Sequence, residues 1–313
     1  MNPQEMKIAF LSRLYGSVDR GAEVYVHEVA SRLVQLGHQV EVLPSASTLS
    51  GFCPAVVIST NGRLDAAAAK LWCVRFRAKL IIPGQSGPGL DDRINLYCFP
   101  DTFVALTAHH QKIAHQKNSL VPATVIPNGV DLDKFRPDVI PYKTRLPPPV
   151  VLYVAALTAA KRQDLLLRAA ARLGVSVLLV GRGDREAAVR GLGEHLLRDR
   201  FHLLSLPHSE VPSVYTSADV FAYPTVPWES FGIAMVEAMA CNLPVVATDD
   251  PIRREIVGEA GLFADPQNTD QYAAALWQAL KHDWKSAPRI RAEAFSWDLI
   301  AQKYNLLCQK LIS

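Results

Sequence analysis

Residues 220–247 read VFAYPTVPWESFGIAMVEAMACNLPVVA and hold the pattern that decides the fold. Two apolar runs, at 220–223 and 244–247, predict buried strands. Between them, the spacing of apolar residues over 233–240 predicts a helix. A helix that connects two buried strands is the repeating unit of a parallel sheet covered by helices. The stretch therefore predicts an α/β fold.

The same alternation extends in both directions along the chain of 313 residues, which is longer than one core usually supports. Further strands are predicted at 7–11, 39–43, 55–58, 80–82, 103–106, 150–155, 175–180 and 201–204, and helices at 23–36, 163–173 and 211–217. Five prolines interrupt this alternation of strands and helices, as expected for a linker, at positions 137, 141, 147, 148 and 149. We predict two Rossmann-like doubly wound parallel-sheet domains facing a cleft, at 1–140 and 149–296. A terminal helix at 297–313 can cross back to the first domain.

Composition excludes several classes of protein. The formal net charge is only +3, without the basic excess that nucleic-acid binding needs, so no nucleic-acid partner is expected. The chain opens MNPQEMKIAF, which does not resemble a secretion signal, and its longest apolar stretch is far too short to cross a bilayer. We expect a cytoplasmic protein, with the inner membrane surface as an alternative location. The five dispersed cysteines are expected to be reduced, mostly buried thiols.

Two glutamates, Glu229 and Glu237, flank the start of the helix predicted at 233–240. The N–H groups at a helix N-terminus favour an anion or sugar hydroxyls. Glu229 precedes the helix, whereas Glu237 reaches a ligand only if its face of the helix lines the pocket. The alternative is that Glu229 complements the helix dipole and that Glu237 is an ordinary solvated residue.

The order of several motifs resembles the retaining glycosyltransferases of family 4, which have the GT-B architecture. These motifs are PNGVDLDKF, VGRGD, SADVFAYPT, ESFGIAMVEAMA and LPVVATD. The resemblance implies that Glu229 contacts the donor sugar and that Glu237 holds the ribose of the nucleotide. Backbone N–H groups at Phe231, Gly232 and Ile233 would then hold the transferred sugar and the phosphates.

The resemblance also implies a catalytic role for Lys161, which matches the phosphate-binding lysine of the family. Cations near the departing diphosphate would stabilise the transition state. The family's arginine after the preceding strand is replaced by Ala156, so Arg162, at a position where the family often has glycine, is the candidate second cation. The alternative for both residues is a solvated cap on the following helix.

The resemblance also covers other loops of the chain, which give further candidate residues for donor binding. Gly21 matches the family's glycine-rich loop, in which Arg20 replaces a glycine. Gly181 lies in the loop beside the nucleotide, while Leu206 and His208 belong to the segment along the base. A dinucleotide-binding motif at 181–186 is excluded because Glu186 stands where its third glycine should be.

No catalytic metal and no other cofactor are expected. Asp131 and Asp133 imitate a DxD metal motif, but their place in PNGVDLDKF favours a structural turn. His109, His110 and His115 have no cysteine or carboxylate nearby in sequence, and a solvated helix face is the favoured interpretation. The family's histidine near the reacting sugar is missing, so Gln85 and Ser86 are the candidate acceptor contacts.

We therefore predict a retaining glycosyltransferase that moves a sugar from a nucleoside diphosphate sugar to a glycan, lipid or small-molecule acceptor. A nucleotide-sugar epimerase, a sugar phosphorylase and a catalytically weak nucleotide-sugar-binding protein of the same fold are the alternatives. The segment KLWCVRFRAK at 70–79 suggests a peripheral contact with an anionic membrane. The favoured interpretation is a helix that packs its aromatic residues on the sheet and exposes its charges.

Overall fold

A computed structural model describes residues 5–16, 21–207 and 209–313. The chain forms two compact units, one made of the chain up to Gly129 together with Phe295–Ser313, and the other of Val130–Ala294. The divisions thus fall after residues 129 and 294 rather than at 140, 149 and 296. The proline-rich segment lies inside the second unit.

The first unit is built on a six-stranded parallel sheet of order β2-β1-β3-β4-β5-β6. Its strands are β1 (Lys7–Leu11), β2 (Gln39–Leu43), β3 (Val56–Ser59), β4 (Lys79–Pro83), β5 (Thr102–Ala105) and β6 (Ala123–Val125). Its helices are α1 (Gly21–Gln35), α2 (Leu49–Phe52), α3 (Leu64–Phe76), α4 (Leu90–Leu96), α5 (Ala108–Lys117) and, last in chain order, α13 (Trp297–Ile312).

Helix α13 completes the first unit by packing against α1. The ring of Tyr25 on α1 lies 6.4 Å from the Trp297 ring and 5.6 Å from the Tyr304 ring. All three side chains are buried. The approach is so close at Gly129 that a Cβ there would come within 2.7 Å of the Trp297 ring. The carboxy-terminal helix is therefore part of the core of this unit.

The second unit contains another six-stranded parallel sheet, of order β12-β11-β10-β7-β8-β9. Its strands are β7 (Val150–Val154), β8 (Ser176–Val180), β9 (Phe201–Leu204), β10 (Val220–Tyr223), β11 (Val245–Thr248) and β12 (Gly261–Ala264). Its helices are α6 (Gln163–Leu173), α7 (Glu186–Leu197), α8 (Val211–Tyr215), α9 (Ile233–Ala240), α10 (Pro251–Val257), α11 (Thr269–Lys281) and α12 (Ala287–Glu293).

The strand order of the second unit creates a topological switch point between β7 and β10. From β7 the chain adds β8 and β9 on one side, then returns to add β10, β11 and β12 on the other. Connections that leave two neighbouring strands in opposite directions open a crevice beyond the carboxyl ends of those strands. Each unit has the predicted doubly wound parallel sheet, and the fold class is confirmed.

Three expectations about individual side chains have definite outcomes. The prediction of a solvated face is wrong for His110, which is buried and lies 2.8 Å from Asp92. The five cysteines are free, and Cys73, Cys241 and Cys308 are buried. On α3, Trp72 packs against the core, but Leu71, Val74 and Phe76 are exposed together with the charges.

In the described parts of the chain, we find no helix with the length and apolar character needed to cross a membrane.

Candidate functional site

Lys161 and Glu229 form an ion pair at the switch point of the second unit. The Lys161 Nζ atom donates to Glu229 Oε2 at 2.7 Å, and each side chain is 20% exposed. Lys161 follows β7 and Glu229 follows β10. Because these strands are neighbours in the sheet, residues that are 68 positions apart in sequence meet in the crevice. Two residues that were predicted to be catalytic therefore lie in direct contact.

Both loops that carry this pair are anchored by hydrogen bonds. The Tyr153 hydroxyl donates to the Lys161 carbonyl at 2.8 Å, from inside β7. The Val226 N–H donates to the Ala160 carbonyl at 3.1 Å, which joins the two loops directly. The ion pair is therefore a fixed feature of the second unit rather than a meeting of two free surface side chains.

The surroundings of Lys161 keep its amine charged. Burial disfavours the charged form, but the neighbouring Tyr223 hydroxyl and the Glu229 carboxylate outweigh burial, so the pKa of Lys161 is raised. Burial, with a contribution from Glu229, raises the pKa of Tyr223 to about 12. The Lys161 Nζ atom also lies 5.8 Å from the centre of the Tyr223 ring. The site therefore presents a permanent cation at neutral pH.

Helix α9 begins beside this pair with a bare N-terminus. Gly232 is the residue before its first turn, and no side chain of the described residues caps the helix. Gly232 has φ of +85°, and a Cβ there would lie 2.5 Å from the Tyr223 hydroxyl oxygen. Both the left-handed conformation and the close approach require glycine at this position. The half-buried Ile233 follows, while Phe231 is buried.

Glu237 lies on α9 and is buried rather than solvated, with 6% of its surface exposed. The hydroxyl of Tyr215, at the end of α8, donates to Glu237 Oε2 at 2.7 Å. Burial and then the carboxylate raise the pKa of Tyr215, so this hydroxyl remains a donor. The structure thus excludes the ordinary solvated role for Glu237 and shows that Tyr215 orients the carboxylate.

Arg162 adopts a backbone conformation that suits glycine. Its φ is +50° and its ψ is +42°, which lie in the left-handed region. This geometry gives a physical reason for glycine at the corresponding position of the family. No hydrogen bond or ion pair joins the half-buried Arg162 side chain to the residues that the structure describes. At Ala156, the carbonyl accepts a hydrogen bond of 2.9 Å from the buried Gln163 side chain, which shapes the start of this loop.

The loops after β8 and β9 continue the same edge of the sheet. Gly181 has φ of +157°, and a Cβ there would lie 1.9 Å from the Ala155 carbonyl oxygen. The Arg182 side chain donates to the Ser205 hydroxyl, which links the two loops. Leu206 is half-buried in the second of them. His208 lies outside the described residues.

In the first unit, the predicted acceptor residues differ in availability. Gln85 and Asn128 form a reciprocal pair of amide hydrogen bonds, each of 2.9 Å. Ser86 is exposed. Gly21 is the exposed first residue of α1, and Arg20 lies outside the described residues. In the second unit, the Asp131 carboxylate accepts hydrogen bonds from the N–H groups of Asp133 and Lys134, both at 3.0 Å, and so forms a turn.

Sequence reasoning missed the tyrosines that support the site. Tyr153, Tyr215 and Tyr223 are all buried, and their hydroxyls contact Lys161, Glu237 and the Gly232 position respectively. Tyr153 and Tyr223 lie in apolar runs predicted as strands, and Tyr215 lies in the helix predicted at 211–217, so none of them stood out as a site residue. A buried tyrosine needs a partner for its hydroxyl, and this requirement was the available signal.

In the second unit, a cation, a carboxylate and a helix N-terminus meet at one switch point, an arrangement typical of α/β proteins that bind anionic ligands. The model of the family described as "Glycosyl transferases group 1" matches residues 139–297, just over half of the chain. The protein belongs to the glycosyl transferases group 1 family. The matched range includes Lys161, Glu229 and Glu237.

Curated relatives are similar over part of their length. An O-antigen chain mannosyltransferase B of Escherichia coli is 37% identical over 38% of this chain and 30% of its own. A phosphatidyl-myo-inositol mannosyltransferase of Mycolicibacterium smegmatis is 33% identical over 57% of this chain and 50% of its own. A D-inositol 3-phosphate glycosyltransferase of Geodermatophilus obscurus is 33% identical over 63% and 50% respectively. The chain thus spans half or less of the length of these three relatives.

Solved structures share the fold over nearly the whole chain. HepE from Anabaena, solved in complex with UDP and glucose, has a TM-score of 0.79 at 18% identity and covers 98% of this chain and 100% of its own. A glycosyltransferase from Rickettsia africae has a TM-score of 0.81 at 18% identity, with 99% of both chains covered. These likenesses establish the GT-B architecture that the sequence motifs implied.

Proposed function

We propose that this protein is a glycosyltransferase that moves a hexosyl group from a nucleoside diphosphate sugar to an acceptor hydroxyl. The observation that carries the proposal is the Lys161–Glu229 ion pair of 2.7 Å beside the uncapped start of α9. A cation and helix N–H groups suit a diphosphate, and a carboxylate accepts hydrogen bonds from sugar hydroxyls. The family match and the names of the relatives support this activity.

We propose that transfer retains the anomeric configuration. The bond between the anomeric carbon and the diphosphate oxygen breaks, and the acceptor oxygen bonds to the same face of the sugar. The acceptor proton passes to an oxygen of the departing diphosphate. Lys161 stabilises the charge on that diphosphate, Glu229 holds the sugar, and Glu237 holds the ribose. No side-chain base is needed in this scheme.

The activity test begins with a thermal-shift screen of nucleoside diphosphate sugars, including GDP-mannose and UDP-glucose. A ligand that binds the folded protein raises its apparent stability, by about 2.7 kcal/mol at a hundredfold excess over Kd. The sugar that gives the largest shift is then incubated with candidate acceptors, and the product anomer is assigned by NMR.

We expect a product with the same anomeric configuration as the donor. An inverted product would contradict the retaining scheme. Release of free sugar alone would indicate a hydrolase, and conversion of the donor to another nucleotide sugar would indicate the epimerase alternative.

We further propose that the enzyme works at the inner surface of a membrane, which it contacts through α3. Leu64, Leu71 and Val74 on this helix are 86%, 74% and 66% exposed. Arg75 and Arg77 are exposed beside them. An apolar face bordered by arginines suits insertion into an anionic lipid surface. The lipid named in the phosphatidyl-myo-inositol mannosyltransferase relative supports this location.

Sedimentation with phosphatidylglycerol vesicles tests the membrane proposal. The double variant L71E/V74E should lose affinity by roughly tenfold or more, because the apolar contact of each side chain is lost. Trp277→Ser is the matched control, since Trp277 is 46% exposed on α11 in the second unit. If the double variant sediments as the unaltered protein does, α3 is not the contact.

A further inference from the structure

Arg253 is a fully buried cation that has no part in the proposed reaction. It lies on α10, and its side chain is 0% exposed. Its ion pair within the described chain is with Asp250, at 3.3 Å. A buried charge is unfavourable unless hydrogen bonds replace the water that it loses. The partners of Arg253 therefore indicate why a cation is kept at this position.

The hydrogen bonds of Arg253 converge on the loop at 225–229, which carries Glu229. Nη1 donates to the carbonyl oxygens of Glu229 at 2.9 Å and Pro227 at 3.3 Å. Nη2 donates to the Val226 carbonyl at 3.0 Å and to the Thr225 hydroxyl at 3.1 Å. One planar guanidinium thus holds four groups of a five-residue loop that has no regular secondary structure.

Two more contacts complete this support. The Thr248 hydroxyl donates to the Thr225 carbonyl at 2.7 Å, and the Glu229 N–H donates to the Val226 carbonyl at 3.1 Å. With its backbone fixed from the Arg253 side, Glu229 extends its carboxylate to Lys161. The position of the Glu229 carboxylate therefore depends on the hydrogen bonds that hold the backbone of its loop, in addition to its own bond to Lys161.

We infer that Arg253 is a positioning residue that holds the loop at 225–229 so that the Glu229 carboxylate stays against Lys161. The consequence for sugar transfer rests on the proposed function, whereas the effect on the ion pair does not. Lysine cannot replace arginine here, because a single ammonium has neither the planar shape nor the number of donors to reach four groups. Arg253→Lys is thus a substitution that keeps the charge and removes the support.

The first test measures the ion pair without any activity assay. Lys161 is acetylated with limiting acetic anhydride, and its modification rate is followed by peptide mass spectrometry. Glu229→Gln, which removes the partner, should raise the rate about fivefold, the factor for about 1 kcal/mol of lost hydrogen bonding. Arg253→Lys should raise the rate by a similar factor, and the double variant should add little more.

Two matched variants separate positioning from general stability. Arg254→Lys alters the neighbouring arginine, which is exposed and paired with Asp249. Arg289→Lys alters another arginine that binds backbone carbonyls, those of Leu132, Phe135 and Ala240. Neither should change the rate at Lys161, although Arg289→Lys should lower the melting temperature. A rate at Lys161 that rises in Glu229→Gln but not in Arg253→Lys would overturn the inference.

If Arg253→Lys does not fold, Thr225 provides the same test. Thr225→Val removes the hydroxyl that Arg253 Nη2 contacts, and Thr225→Ser keeps it. Lys161 should become more reactive in the first variant and return to its original rate in the second. Equal rates in the two variants would also overturn the inference.

Kinetics then test the consequence for the reaction. With an active donor, Arg253→Lys should lower kcat by no more than Glu229→Gln does, because it acts through the Glu229 carboxylate. The affinity for free nucleoside diphosphate should change less than twofold. If no donor supports transfer in the unaltered protein, the proposed function fails, yet the acetylation result still decides the role of Arg253.

Discussion

Lys161 is the cation of the ion pair with Glu229, and replacing it tests the proposed role of its positive charge in the reaction. Lys161→Ala should lower kcat by about 100-fold or more and weaken donor binding much less, because the charge that it stabilises develops as the diphosphate leaves. Steady-state kinetics and calorimetry separate the two effects. The exposed Lys310→Ala should change neither, and an unaltered kcat in Lys161→Ala would place Lys161 outside the reaction.

Replacing each of the two glutamates by glutamine should have different effects on ligand affinity. Glu237→Gln should weaken the donor and the free nucleoside diphosphate alike, by about 1–3 kcal/mol or roughly 5- to 150-fold, because both ligands contain the ribose. Glu229→Gln should lower donor affinity or turnover and leave the free diphosphate bound at least as tightly, since Lys161 no longer pairs with a carboxylate. Calorimetric titration of both variants with both ligands gives four affinities. Equal losses of diphosphate affinity would contradict these assignments.

At the level of elements, the sequence predicted most of the fold. The predicted bounds of β1, β2, β9, β10, α6 and α9 match the structure, and those of β3, β4, β5, β7, β8 and β11 differ by one residue at their ends. Strands β6 and β12 were not predicted. Buried parallel strands are continuous apolar runs that local pattern reveals directly. The ends differ because they depend on which neighbour continues to accept hydrogen bonds.

What the sequence could not predict depends on contacts between distant segments. The pairs His110–Asp92 and Tyr215–Glu237 join residues on different helices, so local spacing carried no sign of them. The Lys161–Glu229 contact follows from the strand order, which local pattern leaves open. The motifs thus singled out Lys161, Glu229 and Glu237 as candidates, but not the tyrosines or the contacts that position them.

The start of α9 gives a prediction at this scale. Gly232→Ala should destabilise the protein by about 1–2 kcal/mol for the left-handed conformation alone, and further because its Cβ would meet the Tyr223 hydroxyl. Gly174→Ala is the control, since Gly174 has φ of +65° but open space around its Cβ position. Chemical denaturation should show a larger loss at 232, together with weaker donor binding. Equal losses would mean that the tyrosine contact is unimportant.

For the whole molecule, the expected chemistry needs no metal ion. We expect sugar transfer to continue in excess EDTA, because Lys161 and the N–H groups of α9 supply the positive charge that a divalent ion otherwise provides. The rate with EDTA is compared with the rate in added Mg²⁺ or Mn²⁺. Complete loss in EDTA that Mg²⁺ or Mn²⁺ restores would contradict this prediction.

The place of α13 has a consequence for how the molecule is made. The first unit contains residues from both sides of the second, and its buried Tyr25 packs against Trp297 and Tyr304. On the ribosome, the second unit is a continuous segment that can fold as soon as it emerges, because domains generally fold as units during synthesis. The unit that is translated first must wait for α13 with an aromatic surface uncovered. We therefore expect the second unit to complete its fold before the first, and the nascent first unit to be the stage most in need of a chaperone.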